Sequence, residues 1–168
     1  MQIVVADYDP AWPREFAAER ERIRPAVGAA PVEHIGSTAV PGLPAKPIID
    51  LVVGASAACI RGLVELGYER AEWGDFGERL FLRRCLPDGR ATHHLSLTAV
   101  GSSYWEDHLA FRDALRASAE LRSRYATLKR EQAAAHDDID AYTRAKTALV
   151  REALLSIGHR PRSGWAAG

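Results

Sequence analysis

The apolar positions of this chain change period near residue 100, and that change sets the expected architecture. Before it, short apolar runs alternate with turn residues; after it, the repeat is helical. Residues 2–7 (Gln-Ile-Val-Val-Ala-Asp) read as a short strand or extended arm. Asp9-Pro10-Ala11-Trp12-Pro13 makes a turn and a helix start, because proline suits the first helical turn. That helix is expected to reach about Val27, with Phe16, Ala17 and Ile23 on one side. Val32–Ile35 reads as a short strand. Pro47–Val53 is apolar throughout except for Asp50, the mark of a central strand buried on both faces. Ala57–Leu66 is a helix stopped by Gly67. Tyr68–Trp73 and Arg79–Arg84 read as strands around the turn Gly74-Asp75-Phe76-Gly77. A second turn at Pro87-Asp88-Gly89-Arg90 leads into a strand over 92–99.

Beyond Gly101 helices are expected near 103–117, 120–135 and 138–157, followed by a loose tail. The fold class is therefore α/β (α+β). The chain forms one domain with an α/β core over 1–100, a helical cap over 101–158 and a flexible tail over 159–168. At 168 residues it is long enough for one real core and too short for two. With 47% apolar and 26% charged residues, its composition is that of a soluble globular protein. No apolar run approaches a membrane span and no leader pattern opens the chain, so a cytoplasmic protein without a membrane partner is expected. Cys59 and Cys85 sit in apolar patterns without metal-type spacing and read as buried, reduced thiols. The formal net charge is zero, but from Phe111 to Arg162 eleven Lys/Arg face seven Asp/Glu. That mild excess suits a phosphorylated small molecule better than a nucleic-acid backbone, which calls for a denser stripe of charge.

The densest chemistry lies between two of the expected strands. The segment His34-Ile-Gly-Ser-Thr-Ala-Val-Pro-Gly-Leu-Pro-Ala-Lys-Pro-Ile-Ile-Asp50 gathers Gly36, Ser37, Thr38 and Lys46 ahead of a single acid. Glycine lets the backbone approach an anion, while hydroxyls and an ammonium supply donors, so these four are expected to hold phosphate. Asp50 stands where a divalent cation bridging to that phosphate would sit. A plainer account makes the loop a tight connection and pairs Asp50 with Lys46 or an arginine. It leaves the clustering of Ser37, Thr38 and Lys46 without a reason.

Together these residues resemble the signature of GrpB-like proteins, a branch of the nucleotidyltransferase superfamily that pairs a Gly-Ser loop with an acidic strand. The likeness extends through His93-His94-Leu95, Phe111-Arg112-Asp113, Tyr125 with Lys129, and Tyr142 with Lys146, which is nearly the whole chain. It implies a nucleotidyltransferase-like fold: a mixed central sheet, packed helices, and a C-terminal helical subdomain closing one side of a cleft. It further implies a nucleoside triphosphate as substrate, Mg²⁺ at Asp50, and transfer of a nucleoside monophosphate to a small-molecule acceptor. The sequence departs from the superfamily pattern at one telling place. A second carboxylate is expected two residues after the first, on the same strand face, but Asp50-Leu51-Val52 puts valine there. The strand expected to bear a third acid, Thr92–Leu97, has none. A second reading therefore stays open: a non-catalytic nucleotide- or coenzyme-binding module that retains the phosphate loop.

Parity and helical spacing assign the remaining residues. His93 and His94 alternate, so at most one shares a cleft with Asp50; His94, with Ser96 on its face, is given the catalytic role beside Asp50. The family resemblance implies another histidine where Ser96 stands. His34 fits a hydrogen-bonded core histidine as well as a ligand contact. On the last helix Ile139, Tyr142, Leu149, Ala153 and Ile157 share a face, and Lys146 falls on it four residues after Tyr142. Lys129 follows Tyr125 in the same way. Lys129, Tyr142 and Lys146 are expected to clamp a phosphorylated ligand against the loop, with Arg79, and Arg83 on the same strand face, adding charge. The acids of Asp137-Asp138-Ile139-Asp140 read as a helix N-cap that also favours the helix dipole, with no catalytic role.

Overall fold

The computed structural model describes residues 5–134 and 139–164, with side chains described over 5–131 and 144–164. Among these residues the strands are β1 (Val32–Ile35), β2 (Ile49–Gly54), β3 (Glu69–Arg70), β4 (Leu80–Cys85) and β5 (Ala91–Thr98). The helices are α1 (Trp12–Val27), α2 (Ile60–Glu65), α3 (Ser103–Ala117), α4 (Ala119–Ala134) and α5 (Ile139–Ser156). The sheet runs in the order β1-β2-β5-β4-β3, with β2 and β5 parallel and the other neighbours antiparallel. It is the mixed sheet that the pattern implied. The strand bearing Asp50 is interior and paired on both sides, but the middle of the sheet is β5, not β2.

Register decides what each face of the sheet carries, because side chains alternate along a strand. Ile35 lies opposite Asp50, Asp50 opposite His94, and His94 opposite Arg83, so these share one face with Val52, Ser96 and Phe81. Leu51, Leu95 and Leu82 line the other face, where α1 and α2 cover them with Ile23, Val27 and Leu63. That packed face also buries a charge. Glu19 on α1 is 4% exposed, and its carboxylate accepts from Arg22 at 2.8 and 2.6 Å and from the Tyr68 hydroxyl at 2.7 Å. Arg84 completes the group at 3.1 Å, with His93 beside it at 3.9 Å. On the opposite face, Ile35 and Val52 pack against Tyr104 and Trp105 of α3. The rest of that side is open, and α3, α4 and α5 close over it around Phe111, Leu115, Tyr125, Val150 and Leu154.

Local chemistry accounts for most of the element ends. The end of α2 is a Schellman turn: Gly67 takes a φ of 85°, its N–H reaches Val64 O, and the Tyr68 N–H reaches Leu63 O. Ser102 caps α3 by accepting from the Trp105 N–H. Ahead of α1, Ala6 is bridged to Ala45 by two backbone hydrogen bonds; residues 2–4 of the expected leading strand or arm lie outside the described residues.

Three expectations are corrected. The strand read over Tyr68–Trp73 is only Glu69–Arg70, because the chain curls into a 3-10 turn at Glu72–Gly74. The carboxylate of Asp75 fixes that curl by accepting from Arg70 and from the Phe81 N–H. The tail is not loose over 159–164. Fully buried Asp107 accepts from His159 Nε2 at 2.6 Å, from Arg162 N at 2.9 Å and from Ser163 N at 2.7 Å. On α5 the buried stripe is Val150, Ala153 and Leu154, while Ile157 lies past the helix end at 52% exposure. Asp137 and Asp138, and the side chains of Ile139, Asp140 and Tyr142, lie outside the described residues. Cys59 and Cys85 are free thiols, partly rather than fully buried. No helix among the described residues is long and apolar enough to cross a membrane.

Candidate functional site

The loop between β1 and β2 starts from a constrained backbone. Gly36 sits at φ 73° and ψ −173°, a region open essentially to glycine. A Cβ there would overlap Asp50 Oδ2, so glycine is what lets the loop lie against the acid. Ser37–Ala39 then makes one 3-10 turn, which points successive side chains about 120° apart. Ser37 is thereby aimed at the cleft and Thr38 into the protein. The Thr38 hydroxyl is 1% exposed; it donates to Ile48 O at 3.2 Å and lies 3.0 Å from His34 Nε2. That geometry occupies the Thr38 hydroxyl, which ties the loop to Ile48 just before β2, while Thr38 itself still lines the cavity over Asp50. His34 is likewise a core group, stacked on Phe16 at 4.7 Å, and burial pushes its pKa down to about 4.

Asp50 lies at the floor of the cleft, about one third exposed, with its Oδ1 3.2 Å from His94 Nδ1. Only His94 of the histidine pair faces this way; His93 is turned to Glu19 on the packed face. Three lysines surround the acid from three directions. Lys46 comes from the end of the loop and is exposed, Lys129 from α4, and Lys146 from α5; they line one cavity of about 290 Å³ with Ser37 and Asp50. Lys129 Nζ donates to Ser37 Oγ and to Pro44 O, and stands 5.5 Å from the centroid of the Tyr125 ring. Burial, with the nearby charges of Lys146 and Lys46, brings its pKa down to about 8 against the pull of Asp50. Lys146 is shifted the same way, mainly by burial. Two buried ammonium groups whose pKa values fall, beside a third cation and a single carboxylate, make a site short of negative charge.

A second cavity of about 220 Å³ opens from the first past Gly36, Asp50 and Lys146, and is walled by Tyr104, His108 and Arg112 of α3. His108 Nδ1 lies 2.8 Å from Tyr104 O, and its ring stacks on Tyr104 at 3.8 Å; burial lowers its pKa to about 4. Arg112 donates to Glu33 Oε2 at 2.6 Å and to His34 O at 3.1 Å, fixing α3 to β1. Both were missed as cleft residues. The signal was present: Tyr104, His108, Arg112 and Leu115 fall at helical spacing and make one stripe of α3. Arg79 is not in the lysine-lined cavity. It lies just before β4, its Nε donating to Ser96 Oγ at 2.9 Å, beside a third cavity. Arg83 turns away to Glu69, at 3.4 Å. The structure thus joins Ser37, Thr38, Lys46, Asp50, His94, Lys129 and Lys146 around one cavity, with Gly36 beside Asp50, and places Arg79 apart from them.

The fold is that of the nucleotidyltransferases. Terminal uridylyl transferase 4 from Trypanosoma brucei, solved with bound dUTP, superposes with a TM-score of 0.52 at 13% identity, covering 96% of this chain and 58% of that one. Closer likeness gives the family: the profile of the GrpB protein family matches residues 2–155, and the chain belongs to that family. The crystal structure of conserved protein GrpB from Enterococcus faecalis matches with a TM-score of 0.79 and 33% identity, over 93% of this chain and 100% of that one. A UPF0157 protein of Halalkalibacterium halodurans is 39% identical over 165 residues, covering 90% of this chain and 80% of the relative.

Proposed function

We propose that the cleft binds a nucleoside triphosphate with Mg²⁺ and transfers the nucleoside monophosphate to a small-molecule acceptor. The observation that carries this reading is the convergence of Lys46, Lys129 and Lys146 with Ser37 on one cavity whose floor is Asp50. A triphosphate supplies the negative charge that these cations lack. Among the described residues no group of three or more acids, histidines or cysteines could cage a metal, which argues against a protein-bound ion. It does fit Mg²⁺, which keeps waters and is often held by one or two carboxylates plus substrate phosphates. Asp50 is the residue that would hold it, and the ion would supply charge neutralisation on the phosphates.

The chain's own residues then have distinct tasks. Lys46, Lys129 and Ser37 position the phosphates, and Lys146 reaches the same charge from the α5 side. With its Nδ1–H given to Asp50, His94 presents Nε2 as an acceptor for the proton of the attacking hydroxyl. The acceptor oxygen forms a bond to the α-phosphorus, the bond from that phosphorus to the bridging oxygen breaks, and pyrophosphate leaves with the electron pair. One observation favours a second reading. The position two residues beyond Asp50 is Val52, 0% exposed and packed on Tyr104, so the acid set is short. In that reading the cleft is a nucleotide- or coenzyme-binding module without turnover.

Titration of the four triphosphates by calorimetry, with and without Mg²⁺, tests binding. Pyrophosphate release in a metabolite extract, compared with Asp50→Ala, tests transfer. Mg²⁺-dependent binding and release that vanishes in the variant are the expected results. Binding with equal background release in both proteins would leave the module reading. No binding of any triphosphate at about 1 mM, an affinity worth only about 4 kcal/mol, would overturn both.

A further inference from the structure

We infer that the third cavity, on the far side of Lys146 from the lysine cluster, is a separate subsite for a planar aromatic or heterocyclic ligand bearing a carboxylate or other single anion. Its volume is about 470 Å³, the size range of small-molecule pockets. Arg79 forms its charged wall. The guanidinium is held in place by Ser96 Oγ and Gly74 O and lies over two rings, 4.3 Å from the centroid of Phe81 and 5.2 Å from that of Tyr104. Among the described residues no carboxylate forms an ion pair with it. The nearest acid in the wall, Asp75, already gives both oxygens to Arg70. An arginine fixed by its neighbours, with no carboxylate in direct contact, presents a fork suited to a carboxylate.

The rim supplies the aromatic half of the specificity. Trp73 is 75% exposed and Phe76 47% exposed, and both line the cavity. Large rings left in water beside a bound cation make a stacking surface for a flat ligand. Thr147 and Val150 of α5 add to the wall, as does Gly164, brought there because Asp107 pins the segment from His159 to Ser163. Tyr104, His108 and Lys146 line both this cavity and the one containing Asp50, so a ligand here adjoins the proposed reaction centre. The subsite itself stands on its own geometry. Its role as the acceptor site rests on the transfer reading.

Two probes of equal shape, 2-naphthoate and 2-naphthamide, titrated into the full chain with and without Mg-ATP, test the subsite. The naphthoate is expected to bind at least tenfold more tightly than the amide, and Arg79→Gln to erase that preference. Because Arg79 also braces Ser96 and Gly74, Trp73→Ala at the exposed rim serves as a second variant, expected to weaken the naphthoate several-fold. Equal affinity for the two probes, a preference that survives Arg79→Gln, or competition between naphthoate and ATP would overturn the assignment. So would no binding of either probe at about 10 mM. ATP binding without naphthoate binding removes only this subsite. Naphthoate binding without ATP binding removes only the transfer reading.

Discussion

The two faces of the sheet treat buried charge in opposite ways. On the packed face, Glu19 is buried, yet Arg22, Arg84 and the Tyr68 hydroxyl answer it atom for atom. Burial works to raise its pKa, but those hydrogen bonds and the charge of Arg84 outweigh it and hold the carboxyl below its usual range. On the cleft face three lysines gather around one aspartate, and burial together with the neighbouring ammonium charges lowers the pKa of Lys129 and Lys146. Charge that the fold balances internally serves the fold; charge that it leaves unbalanced waits for a ligand.

The largest expected effect is one of pH, and it spans both faces. His34 and His93 on the packed face and His108 on the cleft face, with pKa values near 4 against 6.5 for a free imidazole, are held neutral by burial. Between those values the unfolded chain binds the extra proton, so stability falls as pH drops. The loss is about 1.4 kcal/mol per pH unit for each ring. Urea unfolding from pH 7 to 4.5 measures it; a flat profile would mean that these rings are wetter than the structure shows. Next in size is Glu19→Ala, which strands Arg22 and Arg84 and should cost about 3 kcal/mol, the lower end for a broken buried pair because both arginines keep some water. Triphosphate affinity measured on the folded variant should stay within about twofold, since distant sites act independently. A large loss of affinity would erase the division between the faces.

The smallest effect belongs to the cleft. Lys129→Met should weaken triphosphate binding about tenfold, the worth of one charge-assisted contact. In the parent protein, affinity should decline as pH rises through about 8, where Lys129 loses its proton, instead of staying level toward 10. A profile indifferent to pH between 7 and 9 would show that Lys129 does not meet the phosphates.

Period and parity made much of this legible in the sequence. The change of repeat near residue 100 separated sheet from helices, and two-residue alternation set His93 and His94 on opposite faces with Ser96 beside His94, while the register that brings His94 to Asp50 came from the structure. Composition alone could not orient Thr38, because a single 3-10 turn separates it from Ser37, and turn type is not written in Gly-Ser-Thr. Nor could it see the buried Glu19, a polar letter on a helix whose partners come from β4 and from the residue after α2's turn. The tail looked loose because its anchor, Asp107, lies more than fifty positions away. Contacts made across the chain leave the faintest local trace.

The pairing of β2 with β5 has a further consequence, for folding kinetics. β1 and β2 meet through one loop, and β4 and β5 through the tight turn at Leu86–Arg90, so each antiparallel pair closes over a short stretch of chain. Bringing β2 beside β5 must instead close the whole segment that carries α2, β3 and β4, and parallel pairing over such a span costs the most loop entropy. Asp50 and His94 lie opposite each other on that seam. Substitutions that weaken the β2–β5 contact should therefore slow refolding more than equal losses elsewhere, and the same two strands whose closure is slowest are those that put the acid next to the histidine.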